Sequence, residues 1–146
     1  MPIRKASAIW SGDLKAGSGK IITNGVLNNV DYSFSSRFED GMGTNPEELL
    51  GSAHAACFSM DLANRLSKDG YSVESIRTSD VVHLDKGESG FSISKIVMNC
   101  EAKVQKITKD ELMRYAEDAK NNCIISKAIT GVEMELKVSL KQNIGV

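Results

Sequence analysis

The sequence lacks most of what would tie it to a membrane, a nucleic acid or a disulfide framework. No apolar run approaches the roughly 20 residues that a membrane-spanning helix needs. The opening Met1-Pro2-Ile3-Arg4-Lys5 has no apolar segment of the secretory type. Eighteen Lys and Arg stand against nineteen Asp and Glu, a formal charge of −1. That balance provides no basic surplus for nucleic acid or for an anionic membrane surface. Only three cysteines are present. An odd, small set does not build a secreted disulfide framework. It points instead to the reducing cytoplasm, where cysteines serve catalysis, redox chemistry or metals. Repeats, low-complexity tracts and linkers are missing too, so residues 1–146 are expected to form one domain, long enough for a real core.

What is present centres on the stretch from Thr44 to Met60. Thr44 or Asn45 can cap a helix, Pro46 fits its first position, and Glu47 and Glu48 suit the positive end of its dipole. Leu49, Ala53, Ala56, Cys57 and Met60 recur at helical spacing and predict a buried face of small residues. Gly70 predicts the stop. Before this helix, 5–10, 21–23 and 32–36 read as a meander of three strands, with Arg37 at the end of the third. After it, 73–84 and 91–104 read as strands joined by a turn, with a bulge near Lys95. Thr108 and Glu111 have capping-box spacing and open a second helix through Leu112, Tyr115, Ala116 and Ala119. Asn121-Asn122 interrupts it, and 123–128 is a further helical turn. Val132, Met134, Leu136, Val138 and Leu140 alternate as a closing one-sided strand. This order predicts an α+β fold, with antiparallel sheets and the helices as a separate layer.

The chemistry rests on few residues. Gly17-Ser18-Gly19-Lys20 lacks the upstream glycine and the following Ser or Thr of a phosphate loop, and Gly51-Ser52 is not a nucleophile elbow. Cys100 falls on the inward phase of its strand and reads as a small core hydrophobe. Cys57 and Cys123 are each open to a core or a catalytic reading. Cys57 lies near a helix midpoint, so a reactive thiolate there needs a nearby cation, and Arg37 is the one the chain brings nearest. His54 and Cys57 are spaced as two metal ligands, yet nothing in the sequence completes that set. His83 reads as a surface residue on a strand.

Four segments add a stronger signal: Arg37-Phe38-Glu39, Gly43-Thr44-Asn45-Pro46-Glu47-Glu48-Leu49, Ala53-His54-Ala55-Ala56-Cys57-Phe58-Ser59-Met60 and Leu84-Asp85-Lys86. Together they closely resemble the osmotically inducible protein C (OsmC) family, sister to the organic hydroperoxide resistance proteins. The likeness begins at Trp10-Ser11-Gly12-Asp13-Leu14-Lys15 and runs over essentially the whole chain. One position departs: the family usually has proline and valine after its second cysteine, where this chain has Ile124-Ile125.

The resemblance implies an intertwined homodimer with two antiparallel sheets around long central helices. It also implies a thiol peroxidase that uses no cofactor, neither haem nor metal. The substrates would be organic hydroperoxides, with hydrogen peroxide reduced less readily, and the reductant a thiol or dihydrolipoyl group. Cys57 would be the peroxidatic nucleophile and Cys123 the resolving thiol. Arg37 would stabilise the thiolate and orient the peroxide, and Glu47 would hold Arg37. Helix geometry adds an expectation. Ten residues at 1.5 Å each put Glu47 roughly 15 Å from Cys57 along one helix, with an angular offset of about 80°. Glu47 is therefore expected to serve the Cys57 of a partner subunit. The rival readings are a non-enzymatic, stress-related binding protein with a hydrophobic interface pocket, and a metal-binding module on His54 and Cys57.

Overall fold

The computed structural model describes residues 1–142 in two compact units, Met1–Leu49 and the part of Leu50–Val146 that lies within that range. In the first unit, β1 (Ala6–Ser11), β2 (Ser18–Thr23) and β3 (Val30–Tyr32) form an antiparallel meander in that order. The third strand is shorter than the 32–36 expected from the sequence, because Phe34–Phe38 forms a short helix, α1. Its cause is local. Ser33 Oγ accepts the Ser36 N–H at 3.0 Å and Ser36 Oγ accepts the Ser33 N–H at 2.8 Å. This is a capping box closed by serine in place of the usual Glu or Gln, while the Tyr32/Phe34 alternation imitates a strand. Arg37 consequently sits in the last turn of a helix rather than at a strand end. The link that follows needs glycine at Gly43, whose φ is +108° and where a Cβ would lie 2.6 Å from the Asp31 carbonyl oxygen.

Asn45 starts α2 (Pro46–Lys68, 23 residues), its side-chain oxygen accepting the Glu48 N–H at 2.8 Å. At the far end Gly70 has a φ of +87°. The Gly70 N–H reaches the Ser67 carbonyl and the Tyr71 N–H the Leu66 carbonyl, both at 3.1 Å, the pattern of a Schellman stop. Start and stop fall where expected, but the buried face does not. Gly51, His54, Phe58, Leu62 and Leu66 are buried, while Ala53, Ala56 and Met60 are exposed and Cys57 is half-buried. The helix turns inward the stripe with the larger apolar area, since stabilisation scales with area removed from water.

The second unit's sheet has the order β4 (Val73–Gly87), β5 (Gly90–Val104), β6 (Glu133–Lys141). β4 and β5 make a long hairpin, and the expected bulge is present. The register slips between His83, opposite Lys95, and Leu84, opposite Ile93. β6 runs parallel to β5, so this sheet is mixed and not antiparallel throughout. A parallel neighbour requires a crossover of a dozen or more residues. Helices α3 (Lys109–Asn122) and α4 (Ile124–Ala128) supply it. Thr108 Oγ1 caps α3 by accepting the Glu111 N–H at 3.1 Å, and the Glu111 carboxylate accepts the Tyr71 hydroxyl at 2.7 Å. The core joins Phe58, Leu62 and Leu66 of α2 to Ile96, Met98, Ala102 and Val104 of β5 and to Leu112 and Ala116 of α3.

Candidate active site

Cys123 stands at the break between α3 and α4. Its extended backbone (φ −64°, ψ 153°) ends one helix and starts the next, its N–H donating to the Ala119 carbonyl at 3.0 Å. Its sulfur accepts the Ser126 N–H at 3.4 Å, so the thiol takes the part that Ser or Asp plays at most helix starts. Ile124 is the first residue of α4, where the missing N–H of a proline would be harmless. An isoleucine there leaves the helix formed and turns its side chain outward, 75% exposed.

The same short helix reaches Cys57. The Ile125 N–H donates to the Cys57 sulfur at 3.5 Å, and the Cys57 side chain is near enough to Cys123 to act on its thiol. Both are free thiols. Cys123 is 1% exposed. Burial pushes its pKa up, the two contacts to Ser126 oppose this, and Cys57 adds to the rise. Cys100 is different. It is 2% exposed in the core, and burial pushes its thiol to about 11, with a Thr78 hydrogen bond pulling the other way.

Behind the thiols lies a polar chain that the sequence reading missed. His54, fully buried on α2, hydrogen-bonds through Nδ1 to Asp80 of β4 and through Nε2 to Ser126 Oγ of α4, the latter at 2.8 Å. Ser126 Oγ in turn lies 3.0 Å from the Cys123 sulfur, which donates to it. The Asp80 side chain is 1% exposed, and its Oδ1 has no partner among the described residues. A signal for Asp80 did exist. Ile76, Thr78, Asp80 and Val82 share the partly buried phase of β4, and a carboxylate there needs a buried partner. With both ring nitrogens engaged, His54 is turned away from the metal pairing with Cys57. Among the described residues no group of three or more His, Cys, Asp and Glu side chains is arranged to hold a metal ion. His83 is half-buried on β4 beside the bulge.

Arg37 and Glu47 meet within the first unit. Arg37 Nε lies 3.0 and 3.2 Å from the two Glu47 carboxylate oxygens, and Nη2 lies 2.7 Å from Oε1. This forked geometry fixes the guanidinium plane as a single contact could not. The Phe38 ring lies 5.2 Å from the guanidinium carbon. Arg37 also borders an open cleft of about 220 Å³ whose other walls include Trp10, Leu14, Tyr32, Phe34 and Phe38.

The family described as OsmC-like protein matches residues 39–137. The chain is 43% identical over 139 residues to the peroxiredoxin OsmC of Escherichia coli strain K12, covering 94% of this chain and 96% of that protein. An OsmC-like protein of unknown function from Vibrio cholerae superposes with a TM-score of 0.75 at 20% identity, over 95% of this chain and 100% of the other. The organic hydroperoxide resistance protein OhrB of Bacillus subtilis does so with a TM-score of 0.65 at 26% identity, over 94% and 98%. Among the described residues no helix is long and apolar enough to cross a membrane. With the family matched over most of its length and a relative similar from end to end, the chain belongs to the OsmC family.

Proposed function

We propose that this chain reduces organic hydroperoxides, and hydrogen peroxide less readily, through a Cys57 sulfenic acid and a Cys57–Cys123 disulfide. It is a cysteine-based peroxidase. The observation that carries the mechanism is the pairing of two free thiols, Cys57 and Cys123, from separate elements. In the first step the Cys57 thiolate attacks the terminal peroxide oxygen, the O–O bond breaks, and the alkoxide leaves as alcohol after taking a proton. In the second, the Cys123 sulfur displaces the sulfenic oxygen as water and forms the disulfide. A thiol or dihydrolipoyl reductant then restores both thiols.

Arg37, held in plane by Glu47, stabilises the Cys57 thiolate and orients the peroxide. The ring-lined cleft beside Arg37 supports a preference for apolar peroxides. Residues 1–146 act as one OsmC-like domain, cytoplasmic, in an intertwined homodimer. The exposed Ala53, Ala56 and Met60 on α2 support a close helix crossing between two copies. Glu47, on the first turn of a continuous 23-residue α2, then serves the Cys57 of the partner subunit.

The test is thiol titration of the reduced protein before and after a small excess of cumene hydroperoxide. Loss of two thiols per chain, with one intramolecular Cys57–Cys123 disulfide, supports the peroxidase. No loss refutes it and leaves a non-enzymatic binding protein of the same fold.

A further inference from the structure

Cys123 raises a problem that its neighbours answer. To attack a sulfenic acid it must lose its proton, yet it is buried where the thiolate is disfavoured. The hydrogen bonds around it have one consistent direction. Asp80 as a carboxylate only accepts, so His54 Nδ1 carries the hydrogen and Nε2 is the acceptor. Ser126 has one hydroxyl hydrogen, and Nε2 at 2.8 Å takes it. The Ser126 oxygen is left to accept the Cys123 S–H at 3.0 Å. Met134 Sδ, 3.9 Å from Ser126 Oγ, is the weaker acceptor.

We infer that Ser126 and His54 form a proton relay that activates the resolving thiol, with Asp80 as the positioning residue behind it. The inference rests on the reading of Cys123 as the resolving cysteine. As the Cys123 sulfur bonds to the Cys57 sulfur, its proton passes to Ser126 Oγ and the Ser126 proton passes to His54 Nε2. The imidazolium so formed is held by Asp80, whose second oxygen has no other claim on it among the described residues. The Cys57 S–O bond breaks and the oxygen leaves as water, taking the proton back. Cys57 sulfur is reduced by one electron equivalent and Cys123 sulfur oxidised by one. Meanwhile the Ser126 N–H, 3.4 Å from the Cys123 sulfur, holds the transient negative charge. The groups facing the imidazole are Asp80 from β4 and Ser126 from α4, with Cys123 next in line and Cys57 about one turn along α2.

The experiment is a single turnover of the full chain with one equivalent of cumene hydroperoxide, quenched at intervals. Dimedone traps sulfenic acid, and mass spectrometry counts it against disulfide. General-base assistance of this kind contributes typically about 10²–10⁴-fold. Ser126→Ala is therefore expected to slow disulfide formation about a hundredfold, the lower limit of that range, and to accumulate sulfenic acid. Its rate should also climb about tenfold per pH unit from about pH 6 to 8, because bulk hydroxide must then remove the thiol proton. Wild type and Ser126→Thr, which keeps the hydroxyl, should show a flatter profile. Asp80→Asn, nearly isosteric, should slow and steepen resolution as Ser126→Ala does, and it decides the matter if the alanine variant folds poorly. Disulfide formation in both variants within about twofold of wild type, with the wild-type pH slope, would overturn the relay. Absence of sulfenic acid and disulfide in the wild type would instead overturn the peroxidase reading beneath it.

Discussion

Cys100 sets a quantitative test, because the structure makes it the silent thiol of three. Burial holds its pKa at about 11. At pH 8 a free cysteine with a pKa of about 8.5 is roughly one quarter thiolate, whereas a thiol at about 11 is roughly one part in a thousand. Only the thiolate reacts with iodoacetamide, so ionisation alone slows native Cys100 about 250-fold against the same cysteine in the unfolded chain. Its 2% exposure adds a barrier of access on top. The assay is timed alkylation at pH 8, native and in denaturant, with the three cysteine peptides resolved by mass spectrometry. Thr78→Val removes the contact that opposes the shift, and Cys100 should then react more slowly still. The result has a functional use: peroxide should consume two thiols per chain, not three, with Cys100 recovered reduced. Native Cys100 reacting within about tenfold of its denatured rate would refute the reasoning, since burial would then not be suppressing its ionisation.

Other outcomes follow from the proposed mechanism and from local contacts. Cys57→Ser should abolish peroxide consumption, while Cys123→Ser should complete one turnover and then stall as sulfenic acid or overoxidise. Cycling of Cys123→Ser at the wild-type rate with a dithiol reductant would remove it as the resolving thiol. Arg37→Ala should slow the first step; a first step that keeps its wild-type rate takes Arg37 out of the site. Mixing Glu47→Ala with Cys57→Ser subunits should restore activity in exchanged dimers, half of whose sites are intact, and a mixture that stays dead after confirmed exchange means Glu47 serves its own chain. Tyr115 donates to Asp69, and that hydrogen bond raises its pKa to about 12. The folded state thus holds this proton more tightly than the unfolded chain. The contribution is complete below about pH 10 and is lost as pH rises from there through about 12. The stability difference between wild type and Tyr115→Phe should shrink across that window, and a difference independent of pH would contradict it.

The ends of the main elements were legible in the sequence because their causes lie within a few residues of each end. Asn45 and Pro46 start α2, and Gly70 stops it with bonds back to Leu66 and Ser67. Thr108 opens α3, and the chain breaks at Cys123 where Asn121-Asn122 announced it. The alternation in β5 and β6 likewise needs only a period of two, and the slip opposite His83 showed as a fault in that period. Ser33 and Ser36 show the limit of such reading: their capping box is equally local, but serine at its third position is not the usual signature.

Other features were decided by distant partners. Which stripe of α2 turns inward depends on the apolar area that β5 and α3 offer, and Phe58, Leu62 and Leu66 fill that space better than Ala53 and Ala56. β6 lies parallel to β5 because α3 and α4 carry the chain back across the sheet, a choice its own alternation cannot record. The pairing of Cys57 with Cys123 was expected from a family likeness, and tertiary packing on α2 and α4 is what brings the two thiols together. His54, Asp80 and Ser126 lie on three elements, and none carries a local signature of the others. A buried charge is tolerated only with a partner, and the identity of that partner is a property of the packed structure.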